Sequence, residues 1–262
     1  MIVQVAGTEV HVEGPEGAPA IVMVHGWPDT YRLWDAQVEF LKARYRCIRF
    51  TLPGFDESQP RRVYTVDEVT SLLKQVVAQL SPGQKVTLML HDWGCIFGYE
   101  FYMRNPELVS RIVGVDIGEV RAAARVMSAR AKFYVLAYQV WLALAWKLGS
   151  EWMTRKMARW VRARSDARFI GSRMNYPYWL AWFGGRQSFH RQTQRLKLGC
   201  PMLFIYGERK LFMFHAKAWI DALADIPGNR VVGFDTGHWV MLQRPERFNE
   251  VVGDWLAATG KA

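Results

Sequence analysis

Apolar positions along the chain alternate between short β-branched runs and longer stretches with helical spacing. Val3–Ala6 and Glu9–Val12 flank Gly7-Thr8 and predict an opening hairpin. Ala20–His25 ends at Gly26, and Cys47–Leu52 ends at Pro53-Gly54. Both predict buried strands with loops at their carboxyl ends. Over residues 66–80, Val66, Val69, Leu72, Leu73, Val76, Val77 and Leu80 share one stripe, with Thr65 and Glu68 spaced as a capping box. That pattern predicts a helix, closed by Ser81-Pro82-Gly83. Lys85–Leu90 predicts a strand running straight into His91-Asp92-Trp93-Gly94, with a helix following to about Asn105-Pro106. Arg111–Ile117, Met202–Tyr206 and Arg230–Phe234 complete the strands, and a helix over about Pro245–Ala257 closes the chain. Strands alternating with helices in this way point to an α/β architecture around a mostly parallel, eight-stranded sheet.

Between residues 120 and 196 the pattern changes. Residues 121–200 carry 16 Lys/Arg against two acids, Glu151 and Asp166, whereas the rest of the chain carries 18 against 22. The net charge of +10 is therefore the property of one segment, which also holds six of the twelve tryptophans. Two independent shifts in composition predict an insertion at 120–196 within a core made of 1–119 and 197–262. Inside it, Phe133–Trp146 is apolar except for Gln139, too short for a bilayer span and too apolar for an exposed helix, so it should pack against something. Solvated Lys/Arg faces on amphipathic helices are one reading of the charge; a surface in peripheral contact with anionic lipid or acidic ligands is the other. No nucleic-acid-binding motif accompanies it.

At 262 residues, 50% apolar and 22% charged, the chain is long enough to bury one large core. Cys47, Cys95 and Cys200 lie far apart with no metal-ligand spacing, which speaks against a disulfide framework or a zinc ribbon. The first residues lack a basic start and a long apolar stretch, so a soluble, cytoplasmic protein is expected.

In an open parallel sheet the ligand crevice lies beyond the carboxyl ends of the strands. The residues there are His25-Gly26-Trp27-Pro28, Asp92-Trp93-Gly94, Asp116 to Glu119, Glu208-Arg209-Lys210 and Gly237-His238. Asp92 stands at a strand-to-helix turn, with Gly94 two residues on where a sharp bend needs a small residue. A carboxylate is ionised at neutral pH without help and can attack an sp3 carbon bearing a leaving group, forming an ester of the enzyme itself. The alternative for Asp92 is an N-cap, which stabilises a helix by roughly 1 kcal/mol. His238, after a strand and Gly237, fits a general base. His25 and His91 abut strand ends and turns and are expected to be hydrogen-bonded structural residues.

HGWPDTYRLW, LPGFDES, HDWGCIFGYEFYMRNPE and TGHWVMLQRPERF together resemble the α/β-hydrolase superfamily, in its epoxide hydrolase and haloalkane dehalogenase branches. The resemblance runs over nearly the whole chain and implies an α/β-hydrolase fold with a helical cap domain inserted after the sixth strand. It implies Asp92 as nucleophile, His238 as the base that activates water, and the backbone N–H groups of Trp27 and Trp93 as the oxyanion hole. In epoxide hydrolases two cap tyrosines donate to the epoxide oxygen; Tyr138 resembles the first, and Tyr178, with Tyr176 close behind, the second. Neither metal nor organic cofactor is implied, because hydroxyl donors and water suffice.

Two positions depart from the branch pattern. Lys210 stands where the triad acid usually does, and a cation cannot orient a base that becomes imidazolium. The pattern of one dehalogenase subgroup instead sets Glu119 in the acid position, with Asp116 and Glu208 as further candidates. Leu90, two residues before the nucleophile, replaces the glycine usual in epoxide hydrolases. A dehalogenase would need two halide donors, Trp93 together with Trp27, Trp141 or Trp146. The resulting expectation is an epoxide hydrolase whose small-molecule substrate is a bulky lipophilic epoxide, such as a styrene-oxide-like or lipid-derived one, in a pocket lined by Trp27, Trp93, Tyr176 and Trp141. A haloalkane dehalogenase, or a non-catalytic relative binding through its basic cap, are the alternatives.

Overall fold

The computed structural model describes residues 1–260. Eight strands form one sheet: β1 (Ile2–Val5), β2 (Thr8–Glu13), β3 (Ala20–Val24), β4 (Arg46–Phe50), β5 (Val86–His91), β6 (Val109–Val115), β7 (Met202–Gly207) and β8 (Arg230–Phe234). Their order is β1-β2-β4-β3-β5-β6-β7-β8, antiparallel where β2 meets β1 and β4, and parallel elsewhere. Strand β3 is buried along its whole length, and its alternation sorts side chains between two cores. Ala20, Val22 and Val24 join one apolar cluster, Ile21 and Met23 the other.

The first core is roofed by α2 (Val66–Leu80) and α3 (Trp93–Arg104), the second by α1 (Asp35–Leu41) and helices near the carboxyl terminus. Helix α2 keeps the bounds its spacing predicts, and its capping box is present: Thr65 accepts from the Glu68 N–H while Glu68 accepts from the Thr65 N–H. Its stripe faces the sheet, each fully buried Val or Leu contributing roughly 1.5–3 kcal/mol.

Between β6 and β7 the chain leaves the sheet for α4 (Val120–Val126), α5 (Ala129–Leu148), α6 (Glu151–Trp160), α7 (Tyr176–Phe183) and α8 (Phe189–Gln192). Helix α5 packs against α6 and α7, as its apolarity suggested it should, but not on all sides. Leu142, Ala143 and Ala145 are buried, but Phe133, Leu136, Leu144 and Leu148 are exposed. After β7 come α9 (Lys217–Ala224), α10 (Val240–Gln243) and α11 (Pro245–Thr259). Among the described residues no helix is long and apolar enough to cross a membrane.

Candidate active site

The backbone turns sharply at the end of β5. Asp92 has φ 52° and ψ −122°, a conformation that costs a non-glycine residue energy and lifts its side chain clear of the sheet. The bend packs tightly: a Cβ on Gly94 would strike the carbonyls of Val24 and His25, and one on Gly26 would strike Asp92 Oδ1 and the Trp93 nitrogen. Leu90 fits because α3 places Gly98 against its methyl groups.

The Asp92 carboxylate does not cap its own helix. Its Oδ1 accepts the Trp27 backbone N–H at 2.7 Å, and its Oδ2 lies 3.5 Å from His238 Nε2. Burial opposes its charge, but His238 and the Trp93 backbone N–H outweigh that cost and hold the carboxyl below its usual value.

His238 Nδ1 is bound to Asp116 Oδ2. Asp116 is the first residue beyond β6; at φ 70° it turns its fully buried carboxylate toward β7, where Oδ1 accepts the Gly207 N–H at 3.0 Å and the Lys210 ammonium. Burial works against this charge too, yet Lys210 and His238 keep Asp116 ionised, far below the ordinary range. For His238, burial alone would favour the neutral ring; Asp116 and Asp92 overcome it and raise the imidazole to about 9.

Glu119, expected to partner His238, does something else. It is the N-cap of α4, accepting the backbone N–H groups of Arg121 and Ala122 at 3.2 and 2.7 Å. Four residues beyond the strand end, its side chain has turned to the helix, whereas Asp116 remains at the sheet. Lys210, which stands where the triad acid usually does, is the counter-ion of Asp116.

A cavity of about 750 Å3 opens above Asp92 and His238, and Trp27, Tyr138 and Tyr178 line it with them. Burial pushes both phenols up, and the Asp92 charge pushes further in the same direction, so they stay protonated donors. Tyr138 Oη accepts from Gln139 at 3.3 Å, and the Trp93 ring packs edge-on against Tyr178. Among the described residues neither phenol O–H has a protein acceptor, so both protons are available to something in the cavity.

Three other expected pocket residues lie elsewhere. Tyr176 is buried between Phe55 and Tyr64, facing away from the cavity. Trp141 packs on Trp152 and donates its indole N–H to the Met153 carbonyl at 2.9 Å. The Trp93 ring packs behind Tyr178, against Phe97 and Phe189, and contributes only its backbone to the Asp92 bend.

Contacts that sequence reading had not named tie the insert to the core beside this site. Trp27 donates its indole N–H to Asn175 Oδ1 at 2.7 Å, and Asn175 in turn donates to Thr154 Oγ1 at 2.7 Å. Asp29 accepts from Ser165 in the insert and, at 2.9 Å, from the Trp239 indole next to His238. Burial raises Asp29 to about 6. His25 accepts the Leu52 N–H at 2.9 Å, and His91 Nε2 meets the His238 carbonyl at 3.2 Å; burial lowers both, to about 4 and about 3. They hold loops, as their places at strand ends suggested.

Residues 21–251 match the family model described as "Alpha/beta hydrolase family". The chain belongs to the alpha/beta hydrolase family. It is 23% identical over 93% of its length to "Epoxide hydrolase 1" of Caenorhabditis elegans, of which it spans 66%. Over 39% of its length it is 36% identical to "Probable oxidoreductase EphD" of Mycobacterium tuberculosis, but spans only 18% of that relative. In solved structures the fold recurs in a Bacillus megaterium epoxide hydrolase, at 18% identity and a TM-score of 0.74, with 98% of this chain and 100% of that one covered. It recurs equally in a Thermogutta terrifontis esterase, at 19% identity and a TM-score of 0.71, with 99% of each chain covered.

Proposed function

We propose that this chain is an epoxide hydrolase, with residues 120–196 as a cap over a core made of 1–119 and 197–262, converting a lipophilic epoxide and water to a vicinal diol. Asp92 Oδ2 attacks a ring carbon and the C–O bond opposite it breaks. Tyr138 and Tyr178 donate to the departing oxygen, one giving up its proton, which leaves a hydroxyalkyl ester on Asp92.

Hydrolysis of that ester needs a base, and charge explains how one arises. In the free protein His238 sits between two carboxylates, which raise it to about 9, so it is imidazolium at neutral pH. Esterification removes one of them, the one 3.5 Å from Nε2, so the ring's pKa falls and its Nε2 proton passes to the tyrosinate left by ring opening. Neutral His238 then takes a proton from water as its oxygen attacks the Asp92 carbonyl carbon. The resulting oxyanion accepts the backbone N–H groups of Trp27 and Trp93. Collapse expels the diol alkoxide, which takes the proton of the Asp92 carboxyl group, so the carboxylate returns and His238 is left as imidazolium. Asp116 orients the ring and balances its charge throughout.

The observation that carries this reading is the Asp92 carboxylate, free of its helix and held by Trp27 N–H and His238, below a cavity that two protonated tyrosines share with it. Halide release is less well served, because the Trp27 indole N–H is committed to Asn175. Trp27, Phe212, Phe214 and Trp239 make the walls largely apolar, which suits a lipophilic substrate.

The test is mass spectrometry of protein incubated with styrene oxide. His238→Gln should accumulate an adduct of epoxide mass on the Asp92 peptide, and Asp92→Asn should form none. Diol formation by wild type without any such adduct would overturn the scheme.

A further inference from the structure

The outer surface of the insert combines two properties that seldom occur together on a solvated face. Most of the large apolar side chains left exposed belong to residues 120–196. On α5, Phe133 (66% exposed), Leu136, Leu144 and Leu148 (71%) recur at helical spacing and form one outward stripe. Trp152 (59%) on α6 continues it, because its ring packs beside Trp141 of α5, one turn from Leu144.

Cations are interleaved with this stripe. Lys156 lies over the Trp152 ring at 4.8 Å, and Arg159 follows one turn along α6. The two acids of the segment are both engaged: Glu151 accepts from Ser172, and Asp166 pairs with Arg168. Among the described residues no carboxylate pairs with Lys132, Lys156, Arg159, Arg162 or Arg164.

We infer that this face docks on an anionic lipid bilayer, with α5 and α6 lying in the plane of the interface. Charge complementarity selects the occupant. A second copy would set the same excess of cations against itself, whereas anionic headgroups neutralise it as the aromatic and aliphatic side chains enter the acyl boundary. Tryptophan beside Lys/Arg is the composition such interfaces favour. Exposed side chains of the same segment also line the cavity, Trp160 at the end of α6 and Arg162 beyond it, with Leu211 (78% exposed) from the core, so the cavity mouth lies beside α6. A lipophilic molecule dissolved in the bilayer would meet that mouth without crossing water. The docking itself does not rest on the proposed reaction.

Co-sedimentation with vesicles tests it. Wild-type protein should bind phosphatidylcholine vesicles containing about 30 mol % phosphatidylglycerol at least tenfold more tightly than vesicles of phosphatidylcholine alone, an electrostatic gain that high salt removes. Lys156→Glu with Arg159→Glu should abolish that preference. Phe133→Ser with Leu148→Ser and Trp152→Ser should weaken binding at least tenfold, with thermal unfolding showing both variants folded. No binding to the anionic vesicles, equal binding to both kinds, or retention by either folded variant overturns the proposal. So does a wild-type dimer in sedimentation velocity that the apolar variant turns into monomers.

Discussion

The ammonium of Lys210 and the imidazole of His238 occupy the two oxygens of one buried carboxylate, Asp116. Lys210 thereby competes with His238 for the charge that makes the ring basic. Lys210→Met should raise the pKa of His238 and move the rising limb of the kcat–pH profile to higher pH by about half a unit or more, since ester hydrolysis needs the neutral ring. Lys210→Arg should restore the wild-type profile. An unmoved limb in a folded Met variant would mean that the lysine only supports the structure.

Asp116 and Glu119 should separate cleanly. Asp116→Asn is expected to lower kcat by about 10^3–10^4, the scale typical of losing a triad acid. Glu119→Gln removes a charged helix cap and should cost about 1 kcal/mol of stability, leaving kcat within a few-fold of wild type. Steady-state kinetics alongside denaturant unfolding reads both effects.

On the proposed scheme Tyr138→Phe and Tyr178→Phe should each slow ring opening by about 10- to 100-fold, since each would remove one of two donors to the same oxygen. The double variant should lose more than either. Single-turnover kinetics assigns the loss to formation of the Asp92 ester rather than to its hydrolysis; a slower hydrolysis step alone would count against the assigned roles.

Stability should fall in alkali through His238. Its pKa is raised on folding from an ordinary 6.5 to about 9, so its contribution is complete below pH 6.5 and lost as pH rises through about 9. The amount is on the order of 3 kcal/mol. Between pH 6.5 and 9.5 the Tm of wild type should drop further than that of His238→Gln, which lacks this titration.

Asn175→Ala should destabilise the protein by about 2–3 kcal/mol, because it leaves the Trp27 indole N–H without its acceptor in a buried place. Denaturant unfolding measures this. Asn175→Leu, which keeps the volume but offers no acceptor, should cost about as much if the hydrogen bond and not the volume matters.

What could be read along the chain was whatever depends on neighbours in sequence. The stripe of α2 and its Thr65–Glu68 box, the buried runs of β3 and β5, and the bend at Asp92 all arise from spacing over a few residues, and they fall where periodicity placed them. The change of composition over 120–196 was equally legible, and helices α4 to α8 lie there, between β6 and β7. What remained undecided was direction. Asp116 and Glu119 are three residues apart and alike in chemistry; only a positive φ at one and the start of α4 at the other send the first carboxylate to His238 and the second to backbone N–H groups. Tyr176 and Tyr178 likewise differ by two residues on a helix, enough to turn one ring into the core and the other into the cavity. Local pattern settles what an element is made of and roughly where it begins. Which side chain reaches which partner depends on packing between segments as far apart as Asp116, Lys210 and His238, and only the assembled tertiary structure brings those three together.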